Sequence, residues 1–275
     1  MNDIRLIASD VDGTMLPRGG KISPRLREAI TRCRERGIPF VIASGRWIGA
    51  MGDVIAQAGT GDTPVIIANG AAVVRPGGEP LREWFMRDED TLSVYERLRG
   101  FNVQINSYLR GALYCLNTRA LKRRSTMIKD YIGGQGYKLV ADDLRAFERE
   151  GLKSAYKLEV LSEEPEVISG VRAALSDVGL TVTHSSSRNV EIMAPGVNKG
   201  AALGWLLDDM NIPAGQCMAF GDNMNDFDLL SAVGWPVAVG NADPALKGAA
   251  RLIAPADVDD GVAKTLFTYV LEAQP

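Results

Sequence analysis

The sequence predicts a doubly wound α/β fold with a parallel sheet, interrupted by an inserted α+β domain. Three observations carry that expectation. Short apolar runs alternate with helical patterns from Ile4 to Ala68, the order of a parallel sheet with right-handed crossovers. The pattern changes between about Leu81 and Asn189 to paired strand candidates with few crossovers. The βα alternation then resumes from about Val190 to Glu272. The economical reading is a Rossmann-like core built from residues 1–84 and 190–275, with residues 85–189 inserted as a cap.

Each element has a local reason. Ile4 to Ser9 is an apolar run of the kind found in a strand buried on both faces. Ser23 and Pro24 form an N-cap and first-turn pair, Leu26, Ile30 and Cys33 follow at helical spacing, and Gly37 supplies the stop. Pro39–Ala43, Trp47–Ala58 and Pro64–Ala68 read as strand, helix and strand. In the insertion, a helix over about Asp88–Arg99 precedes strands at Asn102–Ser107 and Gly111–Leu116, and a helix is expected at about Thr118–Tyr131. Ser154–Leu161 alternates like a strand, Pro165–Val178 reads as a helix and Leu180–Ser186 as a strand. In the last part a helix follows Lys199, strands run over Gln216–Phe220 and Trp235–Val239, and helices begin near Met224 and Gly261.

Composition narrows the function. The chain has 275 residues, 46% hydrophobic and 24% charged, with a net charge of −3, so neither nucleic acid nor a membrane surface is expected as the main partner. No apolar run is long enough to span a bilayer and the N-terminus has no signal-type segment, so a cytoplasmic location is expected. Cys33, Cys115 and Cys217 have no metal-ligand or CxxC spacing and read as small buried hydrophobes. His184 is the single histidine, which removes histidine triads, multi-histidine metal sites and phosphorelays. Chemistry must therefore rest on carboxylates, lysine and hydroxyls.

Those groups occur at strand ends. Asp10-Val11-Asp12-Gly13-Thr14 follows the first strand, where sheets of this class bind ligands. One carboxylate can attack phosphorus, and the second can protonate a leaving alkoxide and then activate water. Thr14 adds a hydroxyl and a backbone N–H. The same segment is also compatible with a plain Asx-turn. Gly221-Asp222-Asn223-Met224-Asn225-Asp226 follows a later strand and opens a helix. With Asp10 beside Asp222 and Asp226, the oxygen donors suit magnesium; alone, the segment also reads as an N-capped helix start. Lys199 opens a helix where it would hold a phosphoryl oxygen as a point charge, or lie on the surface. Ser44-Gly45-Arg46 ends the second strand and can cradle a phosphate with its hydroxyl and N–H groups, or serve as an ordinary cap.

The ordered set DVDGT, Ser44 before Gly45-Arg46, Lys199 and GDNMND resembles the motifs of the haloacid dehalogenase superfamily. Order and spacing are similar to its Cof-type phosphatases, whose large α/β cap lies between the second and third motifs. Asn69-Gly70-Ala71 and Val239-Gly240-Asn241-Ala242 extend the resemblance. It implies a magnesium-dependent phosphatase acting on a small phosphorylated metabolite, sugar phosphates first, through an aspartyl-phosphate. By the same resemblance, Asp10 is the nucleophile and a magnesium ligand, and Asp12 the general acid/base with its carbonyl toward the metal. Ser44 and Lys199 bind the phosphoryl group, Asp222 completes the metal ligands, Asn225 contacts phosphate or substrate, and Asp226 positions metal water or Lys199. The cap would supply specificity. A basic run, Arg119, Lys122, Arg123 and Arg124, reads as a solvated helix face or a substrate patch. A phosphomutase or other phosphotransferase, or a non-enzymatic phosphoryl-accepting switch, would use similar parts; Asp12 and the cap favour the hydrolase. A monomer is expected for a capped core of this size.

Overall fold

The computed structural model describes residues 3–17, 19–117 and 147–272. The helix expected at Thr118–Tyr131 and the basic run within it lie outside the described residues. The chain divides into two compact units. One comprises Met1–Arg46, Met51–Arg82 and Asn198–Pro275, the other Trp47–Ala50 and Glu83–Val197.

The first unit begins with β1, Leu6–Ser9, whose residues are all buried. In α1, Pro24–Glu35, the Ser23 hydroxyl accepts the Leu26 N–H at 2.9 Å and Pro24 occupies the first turn. Leu26, Ala29, Ile30 and Cys33 form its buried stripe, the i, i+3, i+4, i+7 face of an amphipathic helix. Gly37 follows at φ 73°, a conformation that ends the helix without a Cβ penalty. Then come β2, Phe40–Ala43; α2, Gly52–Ala58; β3, Val65–Ile67; β4, Ala72–Val74; and β5, Pro80–Glu83.

The second unit contains α3, Asp88–Leu98; β6, Gln104–Leu109; β7, Ala112–Asn117; β8, Lys157–Leu161; α4, Pro165–Ala174; β9, Thr181–Thr183; and β10, Asn189–Met193. Its five strands run in the order β7-β6-β8-β10-β9. β10 pairs antiparallel with β8 and β9, so the chain rejoins the first unit at Asn198 and not at Val190 as its alternation suggests. A five-residue strand reads alike in either sheet, which is why the pattern misplaces it. One face of this sheet is apolar, with Ile105, Leu158, Val160, Val190 and Ile192. The other carries Asn106, Tyr108, Lys157, Glu159 and Glu191, all buried as well. Burial is tolerated because the groups pair. Lys157 Nζ donates to Glu191 Oε1 at 2.7 Å, and Glu159 Oε2 accepts from Tyr108 at 2.9 Å and Asn106 at 3.1 Å.

The chain returns through α5, Lys199–Asp209; β11, Cys217–Gly221; α6, Phe227–Ser231; β12, Trp235–Ala238; α7, Pro244–Ala249; β13, Leu252–Ile253; and α8, Gly261–Leu266. The eight-stranded sheet has the order β13-β12-β11-β1-β2-β3-β4-β5. Its strands from β13 to β3 are parallel, and β4 turns back antiparallel on β3. β4, β5 and β13 are absent from the sequence reading; β13, with two residues, is too short for periodicity to mark. The order reverses at β1, between β11 and β2, the topological switch point where such sheets open a crevice at their carboxyl ends.

All three cysteines are free and buried. Burial pushes the Cys33 thiol up to about 11 and the Cys115 thiol up to about 12, which suits inert packing groups. Among the described residues no helix is long and apolar enough to cross a membrane.

Replacing Ser23 by Ala removes the cap of α1 and is expected to cost about 1 kcal/mol. Urea unfolding measures this, and an unchanged midpoint would show that α1 is held by packing alone.

Candidate active site

The site forms where β1 and β11 end side by side, Ser9 being in register with Phe220. The Asp10 N–H donates to the Phe220 carbonyl at 3.0 Å, so the chain leaves the sheet directly beside Asp222. Gly13, at φ 89°, closes the following turn, with its N–H on Leu16 O at 2.8 Å and the Leu16 N–H on Val11 O at 2.9 Å. A Cβ at Gly13 would strike the Asp222 carboxylate, so glycine is required for close approach as well as for its backbone angle. Asn241 fixes the turn from the opposite side, donating Nδ2 to Gly13 O at 2.7 Å.

The charged centre is built around Lys199. Asn198 caps α5 by accepting the Ala201 N–H at 2.7 Å, which sets Lys199 as the first residue of the helix. Its Nζ donates at 2.6 Å to both Asp10 Oδ1 and Asp226 Oδ1, with all three side chains buried. Asp226 Oδ2 accepts the Asp222 and Asn223 N–H groups at 3.1 and 3.2 Å, tying the opening of the turn before α6 to the lysine. Burial pulls the lysine toward its neutral form, but Asp10 and Asp226 outweigh this and hold its ammonium well above the ordinary range. Asp10 is raised well above the usual carboxylate value, first by burial and then by Asp226, with Lys199 opposing and Asp222 and Asp12 adding to the rise.

Asp10, Asp222 and Asp226 bring carboxylate oxygens within 4.8 Å of one another. An all-oxygen donor set of three carboxylates fits a hard divalent cation such as magnesium. The crowding that raises Asp10 is what such a cation would relieve. Asp226, whose Oδ1 accepts from Lys199, lies inside this cluster.

Thr14 has both donors engaged within the protein: Oγ1 on Asp222 Oδ1 at 2.9 Å and N–H on Val11 O at 3.3 Å. A short hydroxyl buried beside a carboxylate bonds to it before any ligand arrives. Asp12 directs its carboxylate into a two-pronged clasp with Arg46, whose Nε lies 2.7 Å from Oδ2 while a second guanidinium nitrogen holds Oδ1. The sequence reading gave Arg46 no such role. The available signal was an arginine at the end of β2, which pairs in parallel with β1 and so opposes Asp12, the geometry that suits a planar guanidinium.

Ser44, Gly45 and Asn225 form the uncharged part. Ser44 is buried at the end of β2, and its Oγ accepts the Arg46 N–H at 3.1 Å, bending the loop at Gly45. Asn225 donates Nδ2 to Asn69 Oδ1 at 3.4 Å. His184 follows β9 in the second unit.

Replacing Lys199 by Met would leave Asp10 and Asp226 buried without their shared counter-charge. The expected loss is about 3–5 kcal/mol in denaturant unfolding. A loss below about 1 kcal/mol would mean that the carboxylates do not depend on the lysine.

Comparison with known proteins converges on one family. Residues 7–266 match the model of the haloacid dehalogenase-like hydrolases. The chain is 28% identical over 271 residues to 5-amino-6-(5-phospho-D-ribitylamino)uracil phosphatase YcsE of Bacillus subtilis, covering 98% of this chain and 97% of that protein. It is 25% identical to pyridoxal phosphate phosphatase YbhA of Escherichia coli, covering 97% and 99%. A haloacid dehalogenase-like hydrolase structure from B. subtilis superposes with a TM-score of 0.85 at 24% identity, covering 97% of this chain and 100% of that one. With the match spanning nearly the whole chain, the protein belongs to the haloacid dehalogenase-like hydrolase family.

Proposed function

We propose that this protein is a magnesium-dependent phosphatase that hydrolyses phosphate monoesters of small metabolites, sugar phosphates first, through an aspartyl-phosphate on Asp10. The observation that carries the reading is the division of labour between two aspartates two residues apart. Asp10 sits at the acidic cluster with Lys199 at 2.6 Å, while Asp12 is held apart by Arg46. The phosphatase relatives support the same reaction class, one being a 5-amino-6-(5-phospho-D-ribitylamino)uracil phosphatase and the other a pyridoxal phosphate phosphatase.

The steps follow from these residues. An Asp10 carboxylate oxygen attacks phosphorus, and the bond from phosphorus to the ester oxygen breaks. Asp12 gives that oxygen its proton, and the alcohol leaves. Asp12 then takes a proton from water, whose oxygen attacks the aspartyl-phosphate and releases inorganic phosphate with Asp10 restored. Arg46 orients Asp12 for both transfers. Lys199, the Ser44 hydroxyl and loop N–H groups hold the non-bridging oxygens as charge spreads over them. Magnesium, held by Asp10, Asp222 and the Asp12 carbonyl with Asp226 close by, would neutralise charge on nucleophile and phosphate. The protein acts as a cytoplasmic monomer.

Phosphate release from p-nitrophenyl phosphate and a panel of metabolite phosphates, with magnesium and with chelator, tests the reading. Asp10→Asn is expected to abolish turnover in folded protein, and Asp12→Asn to lower kcat by about 10²–10⁴. Turnover in pure Asp10→Asn protein, or release unaffected by chelator, would overturn it. Return of the phosphoryl group to a sugar in place of steady phosphate release would indicate a mutase.

A further inference from the structure

The turn Ala68-Asn69-Gly70 after β3 takes no part in the steps above, yet it touches three of the loops that supply them. The Ala68 N–H donates to Arg46 O at 2.8 Å and the Asn69 N–H to Ser44 O at 3.1 Å, so the turn grips both ends of the Ser44–Arg46 loop. The Asn69 side chain accepts from Asn225. Gly70 lies so close to Asn198 and Lys199 that a Cβ would overlap their backbone. All three residues of the turn have positive φ, at 50°, 57° and 96°, a run that only a specific local demand sustains.

One atom of this turn is unaccounted for. Asn69 is 1% exposed, and its Nδ2 has no hydrogen-bond partner among the described residues. A buried amide that serves only structure ordinarily has its hydrogens bonded. Asn69 instead uses its oxygen and backbone N–H on Asn225 and Ser44, two residues of the phosphoryl site, and leaves its donor open beside them.

We propose that Asn69 is a further ligand-binding residue of the phosphoryl pocket, whose Nδ2 donates to an oxygen of the bound phosphoryl group while its Oδ1 and backbone fix Asn225 and Ser44. The assignment rests on the phosphatase reading and adds a neutral donor to it. It explains why an asparagine occupies a left-handed position where glycine would be less strained. Glycine supplies the backbone geometry but neither the acceptor for Asn225 nor the donor for the anion.

The test is the affinity of the purified, magnesium-loaded protein for inorganic phosphate, measured by calorimetry and as product inhibition of p-nitrophenyl phosphate hydrolysis. Asn69→Gly keeps the backbone conformation and its hydrogen bonds to the Ser44–Arg46 loop. It is expected to weaken phosphate binding about tenfold, the scale of one lost hydrogen bond to a charged group, with little change in Tm. Phosphate affinity within about twofold of wild type in this variant overturns the proposal. Should Asn69→Gly not fold, Asn69→Ala removes the donor without adding a charge, and the same thresholds decide. Wild-type protein that neither binds phosphate nor releases it from any ester would defeat the phosphatase reading itself. With active wild type, the Asn69 comparison alone decides.

Discussion

The ammonium of Lys199, shared between Asp10 and Asp226, is the interaction on which the rest of the site depends. Carboxylates this close and this buried repel one another, and removing each from water is itself costly. A single cation within 2.6 Å of two of them makes the arrangement tenable. The lysine can do so because its backbone is fixed: the Asn198 cap sets the start of α5, and Gly70 lets the turn after β3 approach that start closely. The sheet then places Asp10, and the turn before α6 places Asp226. Three elements distant in sequence meet at one charge, so the first unit cannot assemble its site piecemeal.

Around that centre the loops are held mainly by neutral contacts. Asn241 grips Gly13, Thr14 grips Asp222, and the turn at Ala68–Gly70 grips Ser44 and Arg46. Ala68 has a Cβ and yet sits at φ 50°, a conformation costing of order 1–3 kcal/mol. Strain of that size persists only where neighbouring contacts over-determine the geometry, and here they are the backbone bonds to the Ser44–Arg46 loop. Rigidity in these loops matters chemically, because a site that stabilises spreading charge must have its donors in place before the reaction begins.

The sheet core and the charged residues were legible in the sequence because each charged group follows a strand or opens a helix, and local patterns mark such positions. Asp10, Ser44, Lys199 and Asp222 could be placed from neighbours within a few residues. Thr14, Arg46, Asn69 and Asn241 could not, since each contact that defines them crosses between strands or loops. Thr14 meets Asp222 across 208 positions and Asn241 meets Gly13 across 228. The same limit applies to the second unit. The alternation of β8 marks Lys157 and Glu159 as the polar face of a strand, but their burial depends on partners in β6 and β10. Strand length sets a further limit: β13 has two residues, too few to show a period.

The carboxyl groups gathered in the first unit would also suit a divalent cation. Asp10, Asp12, Asp222 and Asp226 bring four carboxyl groups to the site against two cationic side chains, Lys199 and Arg46. An anionic ligand would therefore meet a site richer in carboxyl groups than in cations. The two protein cations are already committed, one to a carboxylate pair and the other to Asp12, so neither can be turned wholly to the ligand. A divalent ion would offset that imbalance and leave the ligand facing oriented donors. Lys199 and Arg46 thus shape the carboxylates, and the oriented hydrogen-bond donors of the surrounding loops add the neutral part of the site.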